Sequence, residues 1–244
     1  MARTAPLLEL IGLSKSFGGV KAIDDLSLVI ADSGVTSLVG PNGAGKTTLF
    51  NLITGFLVPD RGRIMLRGRD ITRLPPYKVA RAGVARTFQN LRLFPTLTVF
   101  ENVAVACEAS DITLSEKNVS KLVDSTLERV GLLARRDVRV ADLSFAEQKF
   151  VSLARAIVRP ANLLLLDEPA AGLDGRALER FHQIVRSLAA EGRSVLLIEH
   201  NLDTVRGISD SVAFLDQGRL IATGTPGEIF AMEELAALYF GDDR

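Results

Sequence analysis

One short stretch constrains the fold of this chain more than any other, residues 38–48, with the sequence Leu-Val-Gly-Pro-Asn-Gly-Ala-Gly-Lys-Thr-Thr. It matches the phosphate-binding pattern G-x-x-x-x-G-K-[ST], in which a glycine-rich loop joins a buried strand to a helix. The apolar run at residues 35–39 precedes the loop, and a helical pattern follows at residues 48–53. All fixed positions of the pattern are filled in that order, which disfavours an ordinary glycine-rich turn. The stretch therefore predicts a site for a nucleoside triphosphate.

The residues of this loop have distinct expected roles. Glycines allow backbone N–H groups to turn toward an anion, and the positive end of the following helix adds to the attraction. Lys46 is expected to reach the terminal phosphates, and the Thr47 hydroxyl is expected to ligate Mg²⁺. The predicted phosphate cradle consists of Gly40, Pro41, Asn42, Gly43, Ala44, Gly45, Lys46, Thr47 and Thr48.

Composition argues against several classes of protein. The chain has 244 residues, enough for one large domain or for a core with one inserted lobe. Its 29 Lys and Arg residues balance 29 Asp and Glu residues, which disfavours a general nucleic-acid binder. The single cysteine, Cys107, excludes an intrachain disulfide, so a reducing cytosol is expected. Aliphatic runs such as residues 163–166 are far shorter than the ~20 residues that cross a bilayer.

Two apolar runs lead to side chains that could act on a phosphate. Residues 163–166 predict a buried strand followed by Asp167 and Glu168, and residues 194–198 predict a second strand that leads to His200. The carboxyl ends of parallel strands form the ligand crevice of an open α/β sheet. We expect Asp167 to hold hydrated Mg²⁺, Glu168 to accept a proton from attacking water, and His200 to reach the γ-phosphate. The alternatives are an ordinary turn at the two acids and, for His200, an imidazole that simply has its hydrogen bonds satisfied.

Two further positions have more than one interpretation when taken alone. Phe17 lies in a loop between two predicted antiparallel strands, residues 8–11 and 26–30, and could stack on a purine or fill the core. Gln89 ends a predicted strand over residues 84–89. Its side chain could ligate Mg²⁺, hold the attacking water, or serve as a solvated end of the strand.

The middle of the chain, residues 91–160, has a helical pattern that predicts a lobe inserted into the sheet domain. Near its end, Ser144 and Glu147 satisfy the S-x-x-E pattern of a capping box, which by itself could explain both residues. The predicted core segments are residues 1–90 and 161–244.

Taken together, these motifs resemble those of the ATP-binding subunit of ABC transporters over nearly the whole chain. The elements also follow the order of that family: Phe17, the phosphate loop, Gln89, a signature helix starting at residues 143–148, the Asp-Glu strand, residues 171–174 as a D-loop, and the switch residue His200. The resemblance implies one α/β P-loop NTPase domain over residues 1–244. That domain would have a RecA-like, mostly parallel sheet core, an N-terminal antiparallel β subdomain and an inserted helical subdomain.

The resemblance also implies roles for individual residues. Phe17 would stack on adenine, and the loop would hold ATP. Glu168, His200 and Gln89 would carry out ATP hydrolysis. The ligands of Mg²⁺ would be Thr47, Gln89 and Asp167.

A head-to-tail pair of cassettes is implied as well, in which the signature residues Ser144, Ala146 and Glu147 contact the ATP held by the partner subunit. The family pattern is L-S-G-G-Q, and Ala146 replaces its second glycine. A methyl group there would weaken the approach of backbone to phosphate. We therefore expect a pair of unlike subunits in which one of the two sites is slower.

Finer similarities are to the ATPases of branched-chain amino-acid importers of the LivG type. They lie at residues 86–94, 199–202 and 224–226 and in a C-terminal Tyr-Phe-Gly, residues 239–241. This resemblance implies a peripheral ATPase on the cytoplasmic face of the membrane. Its partners would be permease subunits and, indirectly, a substrate-binding protein, with no nucleic acid. The alternatives are an ATPase of a lipid or lipopolysaccharide exporter and a soluble ABC ATPase without a transport role.

Overall fold

The computed structural model describes residues 6–108 and 115–232, so the C-terminal Tyr-Phe-Gly lies outside the described residues. In this part of the chain, the strands form a four-stranded sheet with the order β2-β1-β4-β5 and a six-stranded sheet with the order β10-β9-β3-β8-β7-β6. The strands are β1 (Leu8–Phe17), β2 (Val20–Ile30), β3 (Gly34–Val39), β4 (Arg61–Leu66), β5 (Arg69–Asp70), β6 (Val84–Arg86), β7 (Leu163–Asp167), β8 (Ser194–Ile198), β9 (Ser211–Asp216) and β10 (Arg219–Gly224). The helices are α1 (Lys46–Ile53), α2 (Pro76–Arg81), α3 (Val99–Glu108), α4 (Glu116–Arg129), α5 (Phe145–Ile157), α6 (Gly175–Ala190), α7 (Leu202–Ile208) and α8 (Pro226–Phe230).

The smaller sheet is antiparallel and confirms the predicted N-terminal pair. In its register, Leu8 of β1 faces Ile30 of β2, and Phe17 faces Val20. Both strands are longer than the alternating apolar runs that predicted them. Pairing continues beyond those runs as far as Phe17 and Val20, with shifts of register along the way.

The larger sheet is mostly parallel, with only β10 paired antiparallel to β9. Its register decides which residues meet at the carboxyl edge. Leu38 of β3 and Asp167 of β7 both lie opposite Ile198 of β8. The phosphate loop, Glu168 and His200 therefore all emerge from the same edge of the sheet.

The apolar strand β7 is buried on both faces, as expected for a central parallel strand. Because side chains alternate along a strand, Leu164 and Leu166 pack into one hydrophobic cluster and Leu163 and Leu165 into another. The first cluster also contains the inward faces of α3, α4, α5 and α6, and the second contains α1 and the smaller sheet. The helical segment, residues 91–160, thus packs on one face of the larger sheet.

Two element boundaries differ from the prediction. The predicted strand over residues 84–89 ends at Arg86, because the next N–H of the neighbouring strand, on Asp167, bonds to the Thr87 hydroxyl at 3.1 Å. Helix α1 begins at Lys46, two residues earlier than the helical pattern suggested. Among the described helices, none combines the length and the apolar character needed to cross a bilayer.

Candidate nucleotide-binding and catalytic site

The phosphate loop connects β3 to α1 through backbone conformations that require glycine. Gly45, the residue before α1, has φ 103°, a conformation that favours glycine. Because glycine has no side chain, the first N–H groups of the helix have no side-chain cap. At Gly40, which has φ 147°, an added Cβ would overlap the carbonyl oxygen of Leu215. The loop is thus fitted closely to β9, and the N–H groups of the first turn of α1 point into it. Such an arrangement suits an anion.

Lys46 is only 6% exposed, which is unusual for a lysine. Its Nζ donates hydrogen bonds to the carbonyl oxygens of Gly40 at 2.6 Å and Pro41 at 2.9 Å. Burial lowers the pKa of Lys46, and the negative charges of Glu168 and Asp167 oppose that shift. The ammonium group therefore lies inside the loop and within the field of the two carboxylates.

Three of the predicted catalytic side chains meet at the edge of the sheet. Gln89 Nε2 donates to Glu168 Oε2 at 2.9 Å, and His200 Nε2 lies 3.3 Å from Glu168 Oε1. Glu168 itself has φ 47°, a conformation that is uncommon for a residue with a side chain. Its carboxylate therefore has a neighbour on each oxygen. This geometry suits a group that accepts a proton from a positioned water.

Asp167 is paired with a cation that the sequence reasoning did not single out. Arg86 Nη2 lies 3.0 Å from Asp167 Oδ2, and both side chains are about 95% buried. Arg86 Nη1 also donates to Asn51 Oδ1 at 2.6 Å. Burial raises the pKa of Asp167, and the hydrogen bond from Arg86 lowers it. A charged residue inside the predicted strand over residues 84–89 was the signal that could have identified this pair.

The donor set at this edge fits Mg²⁺ bound together with phosphate. Mg²⁺ in such sites takes one or two carboxylates and completes its octahedron with phosphate oxygens and water. Asp167 supplies a carboxylate and Thr47, exposed in the first turn of α1, supplies a hydroxyl. The described residues contain no group of three or more His, Cys, Asp or Glu side chains arranged to hold a metal without such help.

Phe17 lies at the end of β1 and is 47% exposed, which rules out a place in the core. The ammonium of Lys15 lies 5.7 Å from the centre of its ring. An exposed aromatic ring remains available for stacking.

The signature residues form the start of α5 and are separate from the phosphate loop. Ser144 accepts a hydrogen bond from the N–H of Glu147, and the Glu147 carboxylate accepts one from the N–H of Ser144 at 2.9 Å. The capping box is therefore present. Ala146 lies in the first turn, half-buried. Among the described residues, no hydrogen bond connects Ser144, Ala146 or Glu147 to residues 40–48.

A family model described as "ABC transporter" matches residues 23–171. The chain is 37% identical to the high-affinity branched-chain amino acid transport ATP-binding protein LivG of Salmonella typhimurium, over 97% of this chain and 98% of LivG. It is 34% identical to the lipopolysaccharide export system ATP-binding protein LptB of Acidithiobacillus ferridurans, over 97% of both chains. Among solved structures, the ADP conformation of MJ1267, an ATP-binding cassette of an ABC transporter, has a TM-score of 0.89 and 31% identity, covering 98% of this chain and 100% of that one.

Proposed function

The chain belongs to the ABC transporter family and is an ATP-hydrolysing, ATP-binding subunit of a transporter, and on this basis we propose that it drives import of branched-chain or related amino acids. The observation that carries the cargo class is the 37% identity to LivG along almost the full length of both proteins. The 34% identity to LptB keeps export of lipopolysaccharide or lipid as the second candidate.

In the proposed mechanism, the edge of the larger sheet supplies each group that hydrolysis needs. Lys46 and the N–H groups of the loop bind the phosphates of ATP, and Phe17 stacks on adenine. Glu168 accepts the proton of the attacking water, while Gln89 and His200 fix the position of its carboxylate and of the γ-phosphate.

Mg²⁺ has a defined place in this proposal. When bound, it would supply positive charge that offsets the negative charge of the phosphates. Thr47, Gln89 and Asp167 would hold it. Of these, Asp167 carries the only formal charge, and its buried pairing with Arg86 fixes the carboxylate in place.

A Glu168→Gln variant tests the assignment of the general base. The amide has the shape of the carboxylate but cannot accept the proton, so ATP binding should persist while turnover stops. A matched control is Glu179→Gln, an exposed carboxylate on α6. Hydrolysis by Glu168→Gln at the rate of the unchanged protein would refute the assignment.

We also propose that a second cassette completes the site. Ser144 is exposed and Ala146 half-buried at the N-terminal end of α5. Both are separate from their own phosphate loop, so they are available to the ATP of a partner subunit. The N-terminal end of that helix attracts phosphate for the same reason that α1 does. Glu147, which holds the cap, fixes this turn. The partner is proposed to be a different subunit.

A surface groove next to Gln89 is the proposed contact with the permease. It lies between α2 on one side and α3 and α5 on the other, and we call it the subdomain groove. Its lining includes Phe56, Tyr77, Arg86, Phe88 and Arg155. Phe56 and Tyr77 are 49% and 57% exposed, which is high for large apolar side chains and typical of a protein-binding surface.

The proposed contacts are consistent with one cellular arrangement. We propose one cassette over residues 1–244, made of the core segments 1–90 and 161–244 and the helical segment, on the cytoplasmic face of the membrane. The permeases would receive cargo from a substrate-binding protein. Uptake of labelled leucine in cells with and without the gene tests the cargo. Unchanged leucine uptake together with lost lipopolysaccharide export would favour the second candidate.

A further inference from the structure

Lys149, in the second turn of α5, makes contacts that the proposed mechanism does not use. Its Nζ donates to the carbonyl oxygen of Glu168 at 2.9 Å and to that of Pro169 at 3.2 Å. The side chain is half-buried and lies beside Phe145, with the ammonium 5.4 Å from the centre of that ring. A cation of the signature helix is thus bonded to the backbone of the proposed general base.

The same loop is held by a second charged side chain, Glu199, which is 2% exposed. Its Oε1 accepts the N–H of Ala170 at 2.8 Å. Its Oε2 accepts the N–H of His200 at 3.1 Å and that of Asn201 at 3.3 Å. Glu199 therefore connects the loop after β7 to the backbone of the switch histidine.

The two charged groups match the polarity of the backbone that they hold. The cation of Lys149 takes two carbonyl oxygens, and the carboxylate of Glu199 takes three N–H groups. Hydrogen bonds to ionised groups are stronger than those between neutral groups. Burial lowers the pKa of Lys149, while the charges of Glu199 and Glu168 oppose that shift, as expected for a cation placed near two carboxylates.

These bonds act on a residue whose backbone needs support. Glu168 has φ 47°, and such conformations persist where the surrounding structure fixes them. The peptide planes on the carboxyl side of Glu168 help to set the direction of its Cα–Cβ bond, from which the carboxylate extends. Lys149 holds the carbonyl of the first of these planes directly.

We propose that Lys149 is a positioning residue for hydrolysis. It fixes the direction of the Glu168 carboxylate relative to α5, and it acts on His200 through Glu199. The inference rests on the proposed function, in which Glu168 is the base and Ser144 contacts the ATP of a partner cassette. Lys149 then links two parts of the chain that serve different ATP sites. The signature helix contacts the ATP held by the partner, and Glu168 acts on the ATP held by this chain. Docking of α5 on the partner's ATP would orient the chain's own base.

The test compares Lys149→Met and Lys149→Arg in the chain assembled with its partner subunits. Methionine keeps the length and the apolar stem but donates no hydrogen bond, whereas arginine keeps a cationic donor. We expect Lys149→Met to lower kcat by about 10- to 100-fold, since small misplacements of a reacting group have effects of this size. KM for ATP and the melting temperature should stay near those of the unchanged complex, and Lys149→Arg should recover most of kcat. Lys121→Met, an exposed lysine on α4, is the matched control.

Three results would overturn the proposal. An unchanged kcat in Lys149→Met shows that the bonds do not position the base. A raised KM with unchanged kcat places Lys149 on the nucleotide itself. A lowered melting temperature that accounts for the lost activity, without recovery by arginine, makes its role purely structural.

A double-variant cycle with Glu199→Gln adds an independent measure. If the two side chains hold one loop, their effects on kcat are not additive, whereas additive effects would contradict a shared network. The Glu168→Gln variant separates this inference from the proposed function. Turnover in Glu168→Gln refutes the base assignment itself, while a normal rate in Lys149→Met beside an inactive Glu168→Gln refutes only the role of Lys149.

Discussion

Gln89 and Glu168 are separated by 79 positions in the chain, yet their side chains share a hydrogen bond of 2.9 Å. Gln89 follows Phe88, which lines the subdomain groove, and Glu168 follows Asp167 at the end of β7. A movement of the groove wall therefore has a direct path to the proposed base. The bond connects the surface proposed for the permease with the carboxylate proposed to activate water.

Loss of this bond should lower kcat by a larger factor than it raises KM for ATP, because Gln89 is also one of the proposed ligands of Mg²⁺. In Gln89→Ala, kcat should fall roughly tenfold, which corresponds to a loss of about 1.4 kcal/mol and fits a hydrogen bond to a charged carboxylate. Steady-state ATPase measurements over a range of ATP concentrations give both kcat and KM. Asn90→Ala, at the exposed neighbouring position, is the control. An increase in KM with constant kcat would contradict the assigned role.

Two substitutions of Ser144 should separate its capping role from its proposed contact with phosphate. Ser144→Ala removes the cap of α5 and should lower the free energy of unfolding by about 1 kcal/mol. Ser144→Asp keeps a good cap, so stability should be retained, but its charge should repel the γ-phosphate of the partner's ATP. Chemical denaturation and ATPase assays of the assembled subunits measure the two effects. Full activity of Ser144→Asp would show that the site does not contact phosphate.

The alanine of the signature should limit one of the two sites in the pair. Ala146→Gly removes the methyl group that stands between backbone and phosphate, so hydrolysis by the assembled complex should increase. Its cost is at most about 1 kcal/mol of stability, the difference between alanine and glycine in a helix. Ala141→Gly, at an exposed position before α5, controls for added flexibility. An unchanged rate of hydrolysis would exclude the asymmetric pair.

Removing only one partner of the buried ion pair between Arg86 and Asp167 should lower the stability of the protein. Arg86→Met leaves an unpaired carboxylate 5% exposed and should lower the free energy of unfolding by about 3 kcal/mol. Adding Asp167→Asn should recover a large part of the loss, because the remaining amide carries no charge. Denaturation of the single and double variants measures both. Equal stability in Arg86→Met and the unchanged protein would mean that the pair is not coupled.

Glu199 should affect how the stability of the protein depends on pH. Burial raises the pKa of this carboxyl above its usual value, so the folded state binds the proton more tightly than the unfolded state does. Its contribution to stability is therefore present at low pH and is lost as pH rises through the folded pKa. Glu199→Gln, which does not titrate, should lose less stability over the same rise in pH, with Glu179→Gln as the exposed control. Parallel pH curves for Glu199→Gln and the unchanged protein would refute this.

The sequence predicted the fold well where a pattern is local. The phosphate loop, the strands β7 and β8 and the capping box at Ser144 each depend on residues close together in the chain, so spacing alone identifies them. The boundaries were less accurate, as with the strand that ends at Arg86, because a tertiary hydrogen bond to Asp167 ends it.

Contacts between distant residues could not be predicted in the same way. Nothing in the spacing of Lys149 indicates that its ammonium reaches the carbonyl of Glu168, since that depends on how α5 packs against β7. The same is true of Arg86 and its partners. The variants described above test the roles that we predict for the individual site residues.

The apolar faces of α3, α4 and α5 belong to the same hydrophobic cluster as one face of β7 and β8. The three helices also pack on one another, so they and the sheet share one continuous core. Hydrogen exchange in these helices and in the two strands should therefore report a single cooperative opening. The helical segment could then rotate as a unit only by sliding on the sheet. A larger movement would expose the shared apolar cluster to water and destabilise the cassette.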